Sequence, residues 1–415
     1  MESETRTEWR RGWPLVLAAV LGIGFGPGLF QNLSSLFLDG TTSEFGWSRG
    51  EVATAAAIGL LGGLVAPFVG RLADRVGIRP IIVGAMLLLG GAYVALSRQS
   101  GSLVEYQILV ALLAFSVPGT SSVVYGKLIG ACFVRHRGLA LALATSGLSI
   151  TTLAMPPLVG AVIAAQGWRA GFLVLAAATA LLALPAILFL IRHVPATPTA
   201  RAPDDAAAAA PVEGVTGRDA RRDPRFWLLS LGVALVNLAS VGLVTQLVPL
   251  GVERGLTAAQ AALLLTGYAL SQVVGRLTIG VLIDRMAPQG VAAAVALVSA
   301  AGFAGLLVPA PGFALAMGMV FLAGLMNGAD NDLLPYLTAR LFGLRAYGEI
   351  YGSILPIALA GTAAGIVAFG RLHDRFGHYD AALGVSVVAL VLSGLCFFLL
   401  REKPLPRAQA AAHDA

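Results

Sequence analysis

Charge is what this chain has least of: 12% of its 415 residues are Asp, Glu, Lys or Arg, against 57% hydrophobic. A soluble domain carries roughly a quarter charged residues, so this chain cannot cover itself with polar surface. Cysteine is almost absent. Cys132 and Cys396 both sit inside apolar runs, which excludes a disulfide framework and a cysteine-based metal site. There is no phosphate-binding loop and no Ser–His–Asp arrangement, and the five histidines lie near run ends or in tails. Neither an enzyme nor an ATP-driven pump is expected, nor any cofactor or metal. The net charge of +6 does not point to nucleic acid, because the basic residues are not gathered with aromatics but stand at the ends of apolar runs, as membrane topology places them. Met1–Arg11 is polar and lacks the pattern of a cleavable signal, so none is expected.

What the chain has in abundance is apolar stretch. Twelve runs of about 20 residues can each cross a bilayer as a helix: 13–38, 51–71, 79–97, 103–131, 138–164, 169–191, 226–250, 258–283, 289–309, 313–339, 347–370 and 379–400. The 50 glycines suit helices that approach closely through small residues, since lipid supplies no hydrophobic force between them. The fold class expected is an all-α membrane protein of twelve transmembrane helices in two six-helix, pseudo-symmetric bundles, residues 1–194 and 225–402. Between them, 195–224 is rich in Ala, Pro, Asp and Arg, with five alanines in a row at 206–210. It reads as a flexible cytoplasmic linker, and 403–415 as a cytoplasmic tail.

The two halves repeat one another. Gly70-Arg71-Leu72-Ala73-Asp74-Arg75 leaves one run, and Gly280-Val281-Leu282-Ile283-Asp284-Arg285 leaves another 210 residues later. Gly167 and Gly377 share that offset, and Phe133 with Arg135 and Arg137 matches Phe342 and Arg345 within one residue. Duplicated hydrophobic halves with a site at their seam are how many secondary transporters are built. With the N-terminus inside, 20 Lys and Arg fall on the cytoplasmic side and six on the other (Arg49, Arg98, Arg169, Arg254, Arg371, Arg375), leaving Lys127 and Arg276 within runs. That bias supports twelve spans with both termini cytoplasmic, in the plasma membrane or, for a bacterium, the inner membrane.

Over nearly its whole length the chain resembles major facilitator superfamily transporters, through the loop Gly70–Arg79 and its copy at Gly280–Arg285. The resemblance implies a gating motif (Gly70, Asp74, Arg75; Gly280, Asp284, Arg285) in which Asp74 meets the start of the eleventh helix and Asp284 the start of the fifth. An acid there would face the positive end of a helix dipole. Three shorter segments are similar to monocarboxylate transporters and oxalate–formate antiporters: Phe133–Ala140 continuing to Gly147, Gly24-Phe25 in the first run, and Gly275-Arg276 with Gly280 in the eighth. In those transporters the eighth-helix arginine holds the substrate carboxylate. The chain departs from them too. The first-helix lysine falls on Gln31, the acid one turn before the arginine falls on Gln272, and Tyr351–Leu359 contains no base. One cavity cation suits a monocarboxylate better than a dianion such as oxalate.

Arg276 also argues for itself. A guanidinium in mid-membrane costs roughly 2.5–3.5 kcal/mol on insertion scales and cannot escape by deprotonating. It lies about eight residues from the end of its run, on the order of 12 Å into the core, so it needs a wet cavity or a partner. Tyr268, Gln272 and Arg276 share one helical face, and a fork-shaped cation beside an amide and a phenol suits a carboxylate. The alternative is an ion pair with Asp330 or Asp332 in the tenth run, resting or permanent; these two acids, about 200° apart on a helix, cannot both face one cavity. They are also the candidates for carrying a coupled proton. Gln31, Asn32, Tyr125, Asn331 and Tyr351 are further candidates to line the site, with Asn237, Gln246 and Asn327, and each can equally bond a neighbouring helix.

The expected function is alternating-access transport of a small organic anion by a single chain, with a proton or counter-anion as coupling partner, lipid around it and no nucleic acid. Export of an amphipathic drug or neutral solute, or a transporter-like sensor, are the alternatives. A cation exporter would favour an exposed acid over a lone arginine.

Overall fold

In the computed structural model the residues described are 2–59, 72, 76–120, 124–125, 128–129, 133, 137–191, 214–283, 285–343 and 345–401. They are helical almost throughout. Among the described residues ten helices are long and apolar enough to cross a membrane, and eleven if the bent pair Gly12–Gly24 and Pro27–Leu33 counts as one span. Most of the second run, 51–71, lies outside the described residues.

The first run is not one helix but three: α1 (Glu2–Gly24), α2 (Pro27–Leu33) and α3 (Ser35–Phe45). Pro27 has no N–H to give and its ring fixes φ, so it opens a helix instead of continuing one. Gly26 before it is extended, and the two pieces meet at 40°. There follow α4 (Arg49–Gly59), α5 (Ile78–Ser97), α6 (Leu103–Thr120), α7 (Arg137–Gln166), α8 (Trp168–Ala178), a π-helical turn at Thr179–Ala183 and α9 (Leu184–Leu190). Then come α10 (Gly217–Arg222), α11 (Pro224–Glu253), α12 (Ala258–Ile283), α13 (Pro288–Gly305), α14 (Gly312–Phe342), α15 (Tyr347–Phe376) and α16 (Asp380–Phe398).

The compact units do not follow the two sequence halves. The first joins 1–200 to 244–269 and 369–378, and the second joins 201–243, 270–368 and 379–415. In the first unit α1 and α7 pack backbone to backbone: a side chain at Gly24 would stand 2.9 Å from Gly147 O, and one at Gly147 would strike Val20. Thr151 donates to Gly24 O at 2.6 Å across the same contact. An aromatic cluster of Phe30, Phe37, Tyr93 and Phe172 fills the space beside α2 and α3, with Phe37 stacked on Phe172 at 4.2 Å.

In the second unit glycines again set the approach. Gly361 and Gly365 on α15 sit against Ala234 and Leu238 of α11, and Ser393 of α16 donates to Gly232 O at 2.8 Å. Of the segment expected to be a flexible linker, 195–224, the described residues are 214–224. From Gly214 onward it is built: Val215 donates to Phe342 O at 2.9 Å, Gly214 pairs with Gly343, and Thr216 caps α10. Arg221 of α10 then bridges Glu349 at 2.9 Å and bonds Ser353. Composition hid this, because a single capped turn with two polar anchors needs no apolar stripe.

Candidate functional site

Arg276 lies on α12 seven residues before its end at Ile283, and its side chain is half-buried. What positions it is the crossing of α12 with α14. A side chain at Gly275 would meet the backbone of Leu325, and one at Gly328 would meet that of Gln272. Backbones this close leave no slack, so the Gln272–Arg276 turn is held against the turn of α14 that leads to Asp330. Gln272 is half-buried and its Nε2 makes no hydrogen bond among the described residues.

Asp330 is 7% exposed. Its Oδ2 accepts from Asn237 Nδ2 of α11 at 3.3 Å, Asn237 also donates to Val233 O at 3.1 Å, and Oδ1 has no hydrogen-bond partner among the described residues. Asn237 is flanked along α11 by Ala234 and Leu238, the positions that receive Gly361 and Gly365 of α15. Two glycine contacts thus draw α11, α12, α14 and α15 around one polar group of Asn237, Gln272, Arg276 and Asp330. Tyr351, half-buried on α15, stacks on Tyr347 at 5.7 Å between centroids. The side chains of Asn331 and Asp332 lie outside the described residues, as do Gly70, Asp74, Arg75 and Asp284. Gly280 is within α12 and Arg285 is exposed in the turn after it.

The remaining candidates belong to the first unit. Tyr268, one turn before Gln272, is fully buried. Asn32 donates to Thr152 Oγ1 of α7 at 3.1 Å, so its amide is spent on joining helices. Tyr125 is fully buried against Gly22, its hydroxyl without a hydrogen bond among the described residues, and Gln31 is half-buried.

A buried carboxylate accepting from a neutral amide is a high-stakes arrangement in a membrane, where an unmet polar group is costly. Such groups persist where the protein uses them. Asn237 is legible in the sequence only as one more residue able to line the site, and Gly328 and the Gly361/Gly365 pair do not stand out there at all. The four-residue spacing of that pair is the small-residue pattern of close helix contacts, and it was the available signal.

A family model described as the Major Facilitator Superfamily matches residues 19–354 and 231–414. Monocarboxylate transporter 11 of Homo sapiens is 28% identical over 407 residues, 95% of this chain and 84% of that protein. An MFS-type transporter of Gibberella moniliformis is 25% identical over 81% of this chain and 78% of its own length. Among solved structures, the bacterial homolog of the human lysosomal transporter Spinster, inward-facing and unoccupied, matches with a TM-score of 0.70 at 17% identity, covering 94% of this chain and 96% of that one. A helical chain with these spans, this internal duplication and a family match across most of its length is a multi-pass transporter of the major facilitator superfamily.

Proposed function

We propose that this transporter carries a small organic anion, a monocarboxylate, by alternating access, with Arg276 taking the carboxylate. The observation that carries the reading is a guanidinium set half-buried within an apolar span, one turn from Gln272, whose Nε2 has no hydrogen-bond partner among the described residues. Arg offers parallel donors that match the two oxygens of a carboxylate, and Gln272 Nε2 adds a third donor on the same face. The relatives named as monocarboxylate transporters support the substrate class. Gln31, Tyr125, Tyr268, Asn331 and Tyr351 are the further lining candidates.

Asp330 is the proposed coupling group, with Asp332 on the same helix as the second candidate. An enclosed carboxyl hydrogen-bonded to an amide is suited to take a proton from one side and release it to the other. The halves 1–194 and 225–402 are the moving parts, with both termini cytoplasmic in the plasma membrane, or the inner membrane of a bacterium, and one chain suffices. Asp74 and Asp284 are assigned the cytoplasmic gate.

The test is uptake of radiolabelled acetate, lactate, pyruvate and benzoate into proteoliposomes. At least one should accumulate or exchange. Arg276→Lys should lower its uptake by at least tenfold, because a point charge cannot reproduce the planar fork. Unchanged affinity and rate in a folded Arg276→Lys protein would remove the carboxylate role.

A further inference from the structure

The octapeptide that ends α15, Gly370-Arg371-Leu372-His373-Asp374-Arg375-Phe376-Gly377, differs from Gly70–Gly77 only at His373 for Ala73 and Phe376 for Val76. It stands at the other end of the membrane spans, on the face to which the charge bias assigns the exterior. The 210-residue duplication does not account for it, since that pairs Gly70 with Gly280.

Its acid makes the contact that the resemblance implies for Asp74, on a different helix. Asp374 Oδ1 accepts from the backbone N–H of Arg49 at 3.1 Å and Oδ2 from that of Gly50 at 2.7 Å. These are first-turn donors of α4, which have no partner inside their own helix. The rest of that turn is already satisfied. Ser48 and Glu51 cap one another, Ser48 N to Glu51 Oε2 at 2.8 Å and Glu51 N to Ser48 Oγ at 3.1 Å, the reciprocal box that serves a helix start. The two amides left over are the two that Asp374 takes, so the start of α4 is complete only while the end of α15 is on it.

Shape agrees with hydrogen bonding. A carbon added at Gly50 would stand 2.5 Å from Asp374 Oδ2 and 3.1 Å from Arg371 Cγ, and one added at Gly370 would stand 2.7 Å from Arg49 O and 2.8 Å from Ala53 Cβ. Both partners therefore present glycine where they meet. Ionisable groups surround the contact: Arg49 bridges Asp39 at 3.1 Å, and His373 Nε2 lies 3.4 Å from Glu253 Oε2 at the end of α11. Burial holds the Asp39 carboxyl above its ordinary range against the pull of Arg49 and His373. All these residues belong to the first compact unit.

We propose that Gly370–Gly377 is a second gating loop serving the opposite face, closing it by seating Asp374 on the start of α4, and that this cap is broken and remade in each transport cycle. The inference rests on the chain being a transporter, not on which solute it carries. A closure made of two backbone hydrogen bonds to one carboxylate, with glycine on both sides, can hold while formed and part by exchanging those bonds for water.

The experiment follows one buried position beside the contact. Ala53, 3% exposed, is replaced by cysteine in a Cys132→Ser/Cys396→Ser chain reconstituted in nanodiscs, and its reaction with a membrane-impermeant maleimide is timed. With Asp374 in place, labelling should be slow but go to completion. Asp374→Ala should speed it at least tenfold, and Gly50→Ala, which obstructs the same seat from the other side, should do likewise. Ser43→Cys, exposed on the same face, should label equally fast in all three. Equal Ala53→Cys rates with and without Asp374, or no labelling of the parent at all, would overturn the proposal. So would loss of monodisperse protein in both variants, which would make the contact part of the fold and not a gate.

Discussion

Gly328→Ala tests the idea that glycine sets the geometry of the polar group on α11, α12 and α14. The added methyl carbon would stand 2.5 Å from Gln272 Cα and 2.6 Å from its carbonyl carbon, and closer still to its oxygen, whereas ordinary contact begins at 3.4 Å. The oxygen is nearer than either carbon, so α12 and α14 must part locally by more than the 0.9 Å that separates 2.5 from 3.4 Å. Backbone cannot swing aside as a side-chain tip can, so the strain falls on the packing, at about 1–3 kcal/mol for overfilling a tight contact. The functional cost should be larger in proportion. A displacement near 1 Å at a positioned group costs on the order of a hundredfold in rate, and this one moves the Gln272–Arg276 turn relative to Asp330. The assays are thermal unfolding in detergent and initial uptake of whichever labelled carboxylate the wild type carries. Gly318→Ala is the control on the same helix, since an added carbon there meets nothing within 4 Å and should change stability by less than about 0.5 kcal/mol. Adding Gly275→Ala to Gly328→Ala should cost less than the sum of the single effects, because the helices are already parted. If Gly328→Ala unfolds and transports like wild type while Gly318→Ala does too, the close crossing does not position the site.

Asp330→Asn should keep the hydrogen bond with Asn237 in one of its amide orientations while removing the titrating proton. Uptake measured across about pH 5 to 8 should then become flat, where wild-type uptake depends on pH; a flat wild-type profile removes proton coupling altogether. Glu44, at the end of α3, accepts from Arg169 and from Trp168 Nε1, which hold its carboxyl below its ordinary value of 4.5. A lowered acid stabilises the fold above its ordinary value and loses that effect as pH falls through the lowered one. The melting difference between wild type and Glu44→Gln should therefore be present at neutral pH and shrink below 4.5. A difference that grows in acid would contradict the sign.

Span positions were legible because a bilayer has a fixed thickness and demands apolar length. The eighth run, 258–283, coincides with α12 (Ala258–Ile283), the tenth, 313–339, falls within α14 (Gly312–Phe342), and the third, 79–97, within α5 (Ile78–Ser97). The break in the first run was written in Gly24–Pro27 but is invisible to hydropathy, which counts glycine and proline as bilayer-tolerant. Azimuth was harder to read. A helix apolar on every side has no stripe to say which way a polar residue points, so the sequence favours Asn32 for the site and keeps Asn237 only among residues that could also line it. One bonds Thr152 to fasten helices, and the other bonds a buried acid. Depth came from counting residues, but partners came only from the crossings, and those depend on pairs such as Gly275 with Leu325 that no single-helix pattern reveals.

The broken first run also raises the question of how its free backbone is satisfied in a medium without water. Pro27 supplies no N–H, and the chain turns back on itself with Gly26 N donating to Ile23 O at 3.2 Å and Leu29 N to Gly26 O at 3.1 Å. The carbonyl of Gly24, at the end of α1, is met from outside, by Thr151 Oγ1 of α7 at 2.6 Å. That hydroxyl has nearer-in-sequence acceptors, Gly147 O and Leu148 O, both at 3.1 Å, yet its shortest bond crosses to α1. Thr151→Val keeps the shape and deletes the donor, so Gly24 O loses that bond in a dry contact. Interhelical hydrogen bonds in membranes contribute about 0.6 kcal/mol on average and up to about 1.7, and a bond to an orphan carbonyl at a helix break belongs near the upper figure. Thr151→Val should therefore lower the unfolding free energy by about 1–2 kcal/mol, read as an earlier denaturant or thermal midpoint. Thr151→Ser, which retains the hydroxyl and loses only a methyl, should lie between it and wild type. If valine is as stable as threonine, the break at Gly24–Pro27 is satisfied by other means and Thr151 is there for its shape alone.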